Sequence, residues 1–503
     1  MKDKQSIPSP VVSLLPIAIL VVMLFFTIRM LGTDAMGGAS QICLLTAGGV
    51  SVLIGMAFYG IKWLQFQDAI VENIAGTTPA LIILLIIGAL SGVWMLSGVV
   101  PTLIYYGSQL ISPRFFLLSA CVICAVVSVL IGSSWTTIAT IGIALLGIGK
   151  AQGFSEGWIA GAIISGAYFG DKISPLSDTT VLASSVSGTP LFTHIRYMML
   201  TTIPSLCIAL VVFTIYGLTY TRSAEAATMD SFEAALASRF NISLWLMIVP
   251  ILTGVMIARK VPSIITLFVS AVLAEVFMLI FQPDVVREVA GDGVSGGEVW
   301  LKGALLSLST STSLSTDNAA LAELISTRGM AGMIETVWLI LCAMIFGGAI
   351  KAGGTIAGIT RLFTHLARRR TSMVASTVGG GLFVNLCTAD QYISVILTCN
   401  MFKNIYEKNG YESRLLSRTT EDSVTVTSVL IPWNTCGLTQ ATVLGVPTLI
   451  YLPYCVFNYV SPLMSMFVAA TGYKIFKRET QVEGGTESAE DLRAQPLEQA
   501  NDL

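Results

Sequence analysis

Apolar residues fill long, uninterrupted blocks of this chain, and charged residues are confined to the segments between them. Five blocks contain no Asp, Glu, Lys or Arg: residues 35–61, 73–113, 115–149, 197–221 and 423–473. One membrane-spanning helix needs about 20 apolar residues, so the second and fifth blocks are long enough for more than one crossing. Apolar and polar positions do not alternate within the blocks, as they would in the strands of a membrane barrel. The pattern predicts an all-α polytopic membrane protein.

The blocks divide into full spans and shorter, interrupted segments. Predicted spans cover residues 11–31, 42–62, 79–100, 115–131, 193–220, 242–258, 262–281, 334–353, 372–386 and 449–471. Interrupted segments, which are typical of re-entrant or broken hairpins, lie at 132–148, 157–190, 300–316, 388–402 and 414–446. Together they predict about 11–13 helical segments. The predicted parts of the chain are a cytoplasmic N-terminus (1–10), a first transmembrane repeat (11–225), an external connection (226–241), a second transmembrane repeat (242–473) and a disordered cytoplasmic tail (474–503).

Two pairs of similar segments indicate an internal repeat. Residues 88–107 resemble 342–360, which pairs Gly98 with Gly353 at an offset of 255. Residues 173–180 resemble 430–437, which pairs Pro175 with Pro432 at an offset of 257. Two similarities at nearly the same offset predict that the second half of the membrane region repeats the first.

Basic residues in the loops orient the two repeats, because Lys and Arg are enriched in cytoplasmic loops. The residues that mark the cytoplasmic side are Lys2, Lys4, Lys62, Arg259, Lys260, Arg368, Arg369, Arg370, Lys474, Lys477 and Arg478. The loop at 101–114 then lies outside, whereas its repeat partner at 354–371 carries the arginine cluster. The repeats are therefore predicted to be inverted, the plan of many secondary transporters. This predicts a multi-pass protein of the cell (inner or plasma) membrane, with both termini in the cytoplasm.

Composition narrows the function mainly by exclusion. Asp, Glu, Lys and Arg make up 12% of the chain, against about 25% in soluble domains. The net charge of −2 offers no basic surface for nucleic acid, and the nine cysteines and two histidines lack zinc-site spacing. Cys121 and Cys124 lie in an apolar run, which favours packing over redox chemistry. No nucleotide loop or nucleophile–base pair is visible, so we expect neither an ATP-driven pump nor an enzyme, and no cofactor.

Polar residues inside the apolar blocks are concentrated in four places. These are Gly132–Thr137, Gly170–Thr180, Thr388–Tyr392 and the segment from Glu421 to Gly437. A carboxylate at the bilayer centre costs at least about 2.5–3.5 kcal/mol, so such groups face a cavity and find partners. At the offset of 257 the following residues correspond: Ser133 and Asp390, Ser134 and Gln391, Ser177 and Asn434, Asp178 and Thr435. The four places therefore form two pairs, one from each half.

Proline in two of these segments frees backbone carbonyls near Ser174–Ser177 and Val429–Asn434. Carbonyl, hydroxyl and carboxylate oxygens suit a small alkali cation. A purely structural alternative stays open for single hydroxyls, which often bond the previous helical turn. Asp171 and Lys172 could also neutralise each other. The role of Glu275 stays open between a proton carrier and a group that reaches towards a loop. His194, near Arg196, is either a residue at a helix entrance or a pH sensor. The 300–320 stretch with Asp317 is left unassigned.

Residues 166–198, with the string GDKISPLSDTT, resemble the NhaC family of sodium/proton antiporters. So do the segments at 388–402, 421–437 with IPWNTCG, and 443–462. The resemblance covers most of residues 10–475. It implies sodium efflux driven by proton entry, re-entrant hairpins in inverted repeats, and kinship with exchangers of malate and lactate or of amino acids. Inverted-repeat carriers are often dimers, so a homodimer is expected by analogy only.

A carboxylate site that holds either Na⁺ or H⁺, but not both, would couple the two fluxes. Our hypothesis places Na⁺ at Asp178 and Asp390, with Asp171 and either Glu421 or Asp422 as the second proton carrier and Lys172 as the positive charge when no sodium is bound. The supporting polar groups are Ser133, Ser134, Thr136, Ser174, Ser177, Thr179, Asn385, Thr388, Gln391, Asn434 and Thr435. Partners are then the lipid bilayer and inorganic cations. The main alternative is a carrier of a small organic anion or an amino acid; a channel would need repeated filter rings, which are not visible.

Overall fold

The fold consists of helices packed along their apolar faces. The computed structural model describes residues 8–31, 38–219, 234–259, 261–316, 321–322, 325–367 and 369–477, and no strand occurs among them. In this part of the chain, eight helices are long and apolar enough to cross a membrane. A ninth span would result if Thr435–Leu444 and Thr448–Tyr454, which are bent by 89° relative to each other, are counted together. The prediction of an all-α polytopic membrane protein is confirmed.

The helices are numbered here in chain order. In the first half they are α1 (Pro10–Leu31), α2 (Ala39–Tyr59), α3 (Trp63–Leu96), α4 (Val99–Leu110), α5 (Phe116–Ile131), α6 (Ser134–Ala151), α7 (Glu156–Ile173), α8 (Asp178–Ser187) and α9 (Leu191–Thr219). In the second half they are α10 (Ile248–Ala258), α11 (Ser263–Phe281), α12 (Pro283–Ala290), α13 (Gly297–Ser309), α14 (Ala331–Ala352), α15 (Thr355–Leu366), α16 (Arg370–Thr388), α17 (Gln391–Lys408), α18 (Ser413–Thr420), α19 (Thr435–Leu444) and α20 (Val456–Thr471). A π-helical segment, Glu421–Thr425, follows α18 directly.

Two predicted spans have different limits in the structure. Helix α3 begins at Trp63 rather than at residue 79, because Pro79 is accommodated inside the helix and the acidic first turns stay near the surface. Glu72 there accepts a hydrogen bond from Lys351 of α14, at 2.9 Å. The span predicted at 449–471 is interrupted, and its continuous helix begins at Val456 after a short 3₁₀ turn that contains Pro453.

The internal repeat is visible in the ends of the helices. Helices α5 and α16 end at residues that are 257 positions apart, and so do α8 and α19. The starts of α6, α7, α8 and α9 also lie 257 positions before the starts of α17, α18, α19 and the short helix at Thr448. The matching positions are Ile131 and Thr388, Ser134 and Gln391, Glu156 and Ser413, Asp178 and Thr435, Ser187 and Leu444, and Leu191 and Thr448. The offset predicted from two short similarities therefore holds across five consecutive elements. The inversion of the repeats stays a prediction.

The helix breaks after α5 and after α16, which occupy corresponding positions in the two halves, also share an unusual backbone conformation. Gly132 after α5 has φ 74°, and Ala389 after α16 has φ 57°, so both lie in the left-handed region. In each half the two breaks touch: a Cβ on Gly132 would lie 2.7 Å from the backbone of Leu176, and the Ala389 carbonyl accepts a hydrogen bond from the Thr435 N–H at 2.8 Å. The two broken hairpins are thus built by the same local geometry.

This geometry predicts that substitutions at Gly132 and at Ala389 affect the thermal stability of the protein differently. Gly132→Ala should lower the thermal stability of the detergent-solubilised protein, since the left-handed conformation costs about 1–2 kcal/mol for a residue with a Cβ and the methyl group would meet Leu176. Ala389→Gly should stay close to wild type, because relief of that strain offsets the loss of one buried methyl group, about 0.8 kcal/mol. Equal melting temperatures for wild type and Gly132→Ala would contradict this.

Close packing between α5 and α7 fixes the end of α7, where Asp171 lies. A Cβ added to Gly166 would be 2.1 Å from the Cys121 carbonyl oxygen, and one added to Gly170 would be 2.4 Å from that of Ala125. This four-residue spacing of small residues lets two helix backbones approach closely. Cys121 and Cys124 are buried and free at this contact, as expected for residues that serve packing.

Several predictions fall outside the described residues. They concern Lys2, Lys4, Lys260, Asp317, Arg368 and Arg478, the first half of the 226–241 connection and most of the 474–503 tail.

Candidate functional site

The broken hairpins of both halves meet at one cavity of about 370 Å³. Its walls come from both breaks of the first half, the first break of the second half, the middle of α3 and the start of α11. The lining residues are Gly76, Thr77, Pro79, Ala80, Ile83, Ile131, Gly132, Ser133, Trp135, Thr136, Asp171, Leu176, Asp178, Thr179, Ser263, Asp390, Gln391 and Tyr392. Asp178 and Asp390, predicted from opposite halves to share a site, both line it.

Each broken helix restarts with a polar side chain that caps its N-terminus. The caps are Ser133, Ser177, Asp390 and Asn434, whose side-chain oxygens accept hydrogen bonds from the backbone N–H groups of Thr136, Thr180, Ile393 and Cys436 respectively. The caps occupy equivalent positions in the two repeats. Part of the polar pattern seen in the sequence therefore has a structural cause, because the free N–H groups of a helix start need acceptors.

Asp171, at the end of α7, accepts hydrogen bonds from two side-chain hydroxyl groups. One of its oxygens accepts a hydrogen bond from the Ser134 hydroxyl and the other from the Ser177 hydroxyl, both at 2.6 Å. The carboxylate is 6% exposed, and it reaches the cavity between the two breaks of the first half. Ser134 and Ser177 thus hold one carboxylate in a fixed orientation.

Asp390 is the corresponding acidic group of the second half. It caps α17 through a hydrogen bond from the Ile393 N–H at 2.9 Å, and its other oxygen accepts one from Thr435 at 3.3 Å. Its side chain is 5% exposed. Because Thr435 begins α19, this contact joins the two breaks of the second half at the cavity wall.

Asp178, at the first position of α8, is the most accessible of the three carboxylates. Its side chain is exposed and lines both the main cavity and a neighbouring one of about 460 Å³, which Pro262 and Ser263 of the second half also line. Among the described residues, no hydrogen bond or ion pair holds its carboxylate. Asp178 is therefore suited to meet an ion that enters from the neighbouring cavity.

The cavity combines three carboxylates with hydroxyl groups, and none of its described lining residues is basic. Such a surface attracts cations and repels anions. No group of three or more His, Cys, Asp or Glu side chains in the described part of the chain is arranged to hold a metal ion. A bound alkali cation would therefore take hydroxyl or carbonyl oxygens as ligands together with one or two carboxylates, a donor set that suits a hard cation.

Lys172 points away from the cavity, although it follows Asp171 directly. Its ammonium group pairs with Asp422 of the other half and also donates to the Ser461 hydroxyl at 2.9 Å. Thr201 donates to the same Asp422 oxygen at 3.0 Å. Asp171 and Lys172 therefore do not neutralise each other, since neighbouring residues on a helix face different sides.

The other predicted polar residues divide into cavity walls and structural supports. Ser133, Thr136, Thr179 and Gln391 line the cavity. Ser174 donates to the Val129 carbonyl, Asn385 to the Val424 carbonyl, Thr388 to the Asp390 carbonyl and Asn434 to the Asn385 carbonyl. These bonds fix the breaks without reaching the cavity, which is the structural alternative that single polar groups left open.

The sequence did not single out several residues of the site. Thr77 of α3 and Ser263 of α11 line the cavity from helices that carry no polar motif, and Trp135 and Tyr392 add aromatic walls. Glu275 lies elsewhere, buried on α11 with a hydrogen bond from Ser307 at 2.8 Å. Trp135 and Tyr392 could have been predicted as cavity residues, because they stand within the polar segments of the sequence. No feature of the sequence pointed to Thr77 or Ser263.

The hydroxyl pair around Asp171 gives a testable prediction. Ser134→Ala and Ser177→Ala should each weaken the binding of an alkali cation in the cavity by about ten- to hundredfold, since a hydrogen bond to a charged group contributes about 1.5–3 kcal/mol. Ser174→Ala is the matched control, because its hydroxyl bonds a backbone carbonyl outside the cavity. Equilibrium titration of the purified protein with alkali-metal salts gives the measurement. Equal shifts in all three variants would contradict the assignment.

These features define an α-helical membrane protein with a buried acidic cavity at the junction of two repeats. A family model described as the Na⁺/H⁺ antiporter family matches residues 166–473. The Na⁺/H⁺ antiporter NhaC of Bacillus subtilis (strain 168) is 36% identical over 414 residues, which cover 82% of this chain and 88% of that protein. The chain therefore belongs to the Na⁺/H⁺ antiporter family, and the resemblance to NhaC proteins is confirmed.

Two further relatives have names that indicate other cargoes. The malate-2H⁺/Na⁺-lactate antiporter of Bacillus subtilis (strain 168) is 33% identical, with 86% of this chain and 89% of that protein covered. The arginine/ornithine antiporter ArcD of Halobacterium salinarum (strain ATCC 700922 / JCM 11081 / NRC-1) is 32% identical, with 97% of both chains covered. The relatives are transporters rather than enzymes, and they share a family without sharing one cargo.

Proposed function

We propose that this protein is a Na⁺/H⁺ antiporter that exports sodium in exchange for protons by alternating access. The observation that carries the proposal is the cavity in which Asp171, Asp178 and Asp390 lie without a basic residue among the described walls. Membership in the Na⁺/H⁺ antiporter family supports it. Na⁺ and H⁺ are cargo in this scheme, and no resident cofactor is part of it.

Competition for the carboxylates couples the two ions. A protonated carboxyl group is a poor ligand for Na⁺, and a carboxylate that binds Na⁺ has less affinity for a proton, so one site carries either ion. Asp178 receives Na⁺ at the accessible side, and Asp171 and Asp390 hold it with the hydroxyl groups of the cavity walls. The broken hairpins from the two halves provide the elements whose relative movement would change the side of access.

A cationic amino acid is the second candidate cargo. A cavity of about 370 Å³ is within the range of sites that hold small organic molecules, and an ArcD relative carries arginine and ornithine by name. An organic anion such as malate or lactate is less favoured, because its carboxylates would face Asp171, Asp178 and Asp390 without a basic partner in the described cavity wall. Acidic walls thus favour cationic cargo of either size.

One assay separates these cargoes. Purified protein in proteoliposomes should acidify or alkalinise the lumen in response to Na⁺ gradients, with a fluorescent pH indicator as the readout. Potassium, malate, lactate, arginine and ornithine gradients replace sodium in parallel samples. We expect a response to Na⁺ that organic anions do not stimulate. A response to arginine or ornithine alone would support the second candidate, and a response that requires malate or lactate would refute both.

A further inference from the structure

A second group of charged side chains lies apart from the cavity. Lys172, Arg418, Glu421 and Asp422 are each 0% exposed, and none of them lines the cavity described above. We call these four residues the buried charge network. Ionisable groups at membrane depth are costly and are kept where they pair or take part in transport. Each member of the network therefore needs either a partner or a function.

Asp422 supplies the negative charge that two cations need. One of its oxygens pairs with Lys172, and its other oxygen lies 3.8 Å from the Arg418 Nε. The Arg418 guanidinium also stacks over the Tyr197 ring, at 4.4 Å from its centroid. Asp422 is therefore the counter-charge that both buried cations share, and its removal would leave both without one. Asp422 thus has a structural partner on each side within the network.

Glu421 has the opposite environment. Neither of its carboxyl oxygens has a hydrogen-bond partner among the described residues, although the side chain is fully buried. An ionised carboxylate in such a position costs several kcal/mol unless it is paired and hydrogen-bonded. Burial therefore favours the neutral acid at this site.

The net charge of the network, in contrast to burial, favours the ionised form of Glu421. With Glu421 protonated, Lys172 and Arg418 outnumber Asp422 by one positive charge; with Glu421 ionised, the four groups sum to zero. Loss of the proton therefore restores the charge balance, while burial resists it. A carboxyl group held between two such opposing effects can change its proton occupancy during a transport cycle.

Further titratable groups lie near Glu421 or on helices that pack against the segment Glu421–Thr425. Helix α7 contributes Asp171 and Lys172, and α17 contributes the Cys399 thiol. The segment Glu421–Thr425 also packs against α8, α9, α16, α18 and α20. Among these helices, α9 carries His194, whose Nδ1 lies 2.8 Å from the Ser417 hydroxyl, and α18 carries Arg418. The contacts that α8, α16 and α20 make with the segment come from the uncharged Ala183, Asn385 and Ser461. The charged groups that act on the Glu421 carboxyl group are therefore mainly those of α7 and of the buried charge network.

The α7 end connects the network with the cavity. Asp171 lines the cavity, whereas the next residue, Lys172, belongs to the network. The Thr180 hydroxyl lies 3.3 Å from the Asp171 carbonyl and 2.9 Å from that of Lys172, which ties both residues to α8. An ion or proton at Asp171 therefore changes the electrostatic potential at Glu421, and the reverse also holds.

We propose that Glu421 binds a second proton in each exchange cycle, at a site separate from the cation cavity. This inference rests on the proposed function and adds a stoichiometry: two protons for each Na⁺, one at the cavity carboxylates and one at Glu421. Asp171 and Lys172 couple the two proton sites. The proton bound at Glu421 is released when Na⁺ occupies the cavity and is taken up again when Na⁺ leaves.

The stoichiometry can be measured in proteoliposomes with the membrane potential clamped at zero. The pH gradient that just cancels a fixed Na⁺ gradient is determined for wild type and Glu421→Gln. One proton fewer per Na⁺ should roughly double the balancing pH difference in the variant. Glu421→Asp should restore the wild-type value, and Glu275→Gln, which removes a buried carboxyl group elsewhere, should leave it unchanged.

A second measurement does not depend on the folding of any variant. Saturating Na⁺ should release two protons per bound ion from detergent-solubilised wild-type protein in weakly buffered solution. One proton per ion, or an unchanged balance point in a folded Glu421→Gln variant, would overturn the role of Glu421 while leaving Na⁺/H⁺ exchange intact. Absence of any Na⁺-driven proton movement in wild type would instead refute the proposed function, and this inference with it.

Discussion

Replacement of Asp171 by asparagine is expected to abolish Na⁺-dependent proton movement in everted vesicles, although the protein still folds. The substitution preserves the shape of the side chain but removes the charge that Ser134 and Ser177 orient towards the cavity. A carboxylate and a cation 4 Å apart interact by about 4 kcal/mol at an effective dielectric constant of 20. The loss should therefore weaken Na⁺ binding by about a thousandfold.

A matched control distinguishes a loss of the site from a general loss of negative charge. Asp68→Asn removes a carboxylate from the exposed, first part of α3, outside the cavity. Its exchange rate should equal that of wild type. If the Asp171→Asn variant exchanges ions at the wild-type rate, at equal protein levels in the membrane, Asp171 takes no part in the mechanism. The same result would show that the two hydroxyl groups that bind Asp171 have no role in exchange.

The second large effect is expected on stability. Lys172→Met should reduce the amount of folded protein in the membrane and lower its melting temperature in detergent, because Asp422 would lose its closest partner while fully buried. Removal of one member of a buried ion pair typically costs about 3–5 kcal/mol. Fluorescence-detected size-exclusion chromatography after a heating series measures the change.

The double variant Lys172→Met with Asp422→Leu serves as the control for this prediction. Replacement of both members of a buried ion pair by apolar residues is often neutral for stability. The double variant should therefore recover part of what the single variant loses, and the remaining deficit should come from Arg418, which also loses Asp422. A single variant as stable as wild type would show that the pair does not hold the two halves together. A double variant less stable than the single one would indicate that Arg418 depends on Asp422 more than Lys172 does.

Much of the fold followed from the sequence because its signals are local. Long uncharged blocks predict spans, and proline with hydroxyl groups predicts breaks; the offset of 257 then paired the breaks of the two halves. The convergence of Asp178 and Asp390 on one cavity followed from that pairing. The exact start of α3 did not follow, since Pro79 ends many helices but is tolerated in a long membrane helix.

The partners of individual charges could be predicted less well. Lys172 pairs with Asp422, 250 residues away, and no local pattern contains that information. The opposite directions of Asp171 and Lys172 were accessible from helix geometry, but only once both residues were known to lie in α7. Arg418 was missed because it lies in a polar, amphipathic segment that resembles a surface helix, whereas its side chain is fully buried.

The central claim is that Na⁺ and protons compete for the carboxylates of one cavity formed by both repeats. Equilibrium binding of ²²Na⁺ to the purified protein, measured over a range of pH, tests it most directly. We predict that apparent Na⁺ affinity falls about tenfold for each competing proton per unit decrease in pH, and that Asp171→Asn and Asp390→Asn abolish the binding. Saturable Na⁺ binding that is independent of pH, or that persists in both variants, would contradict the account.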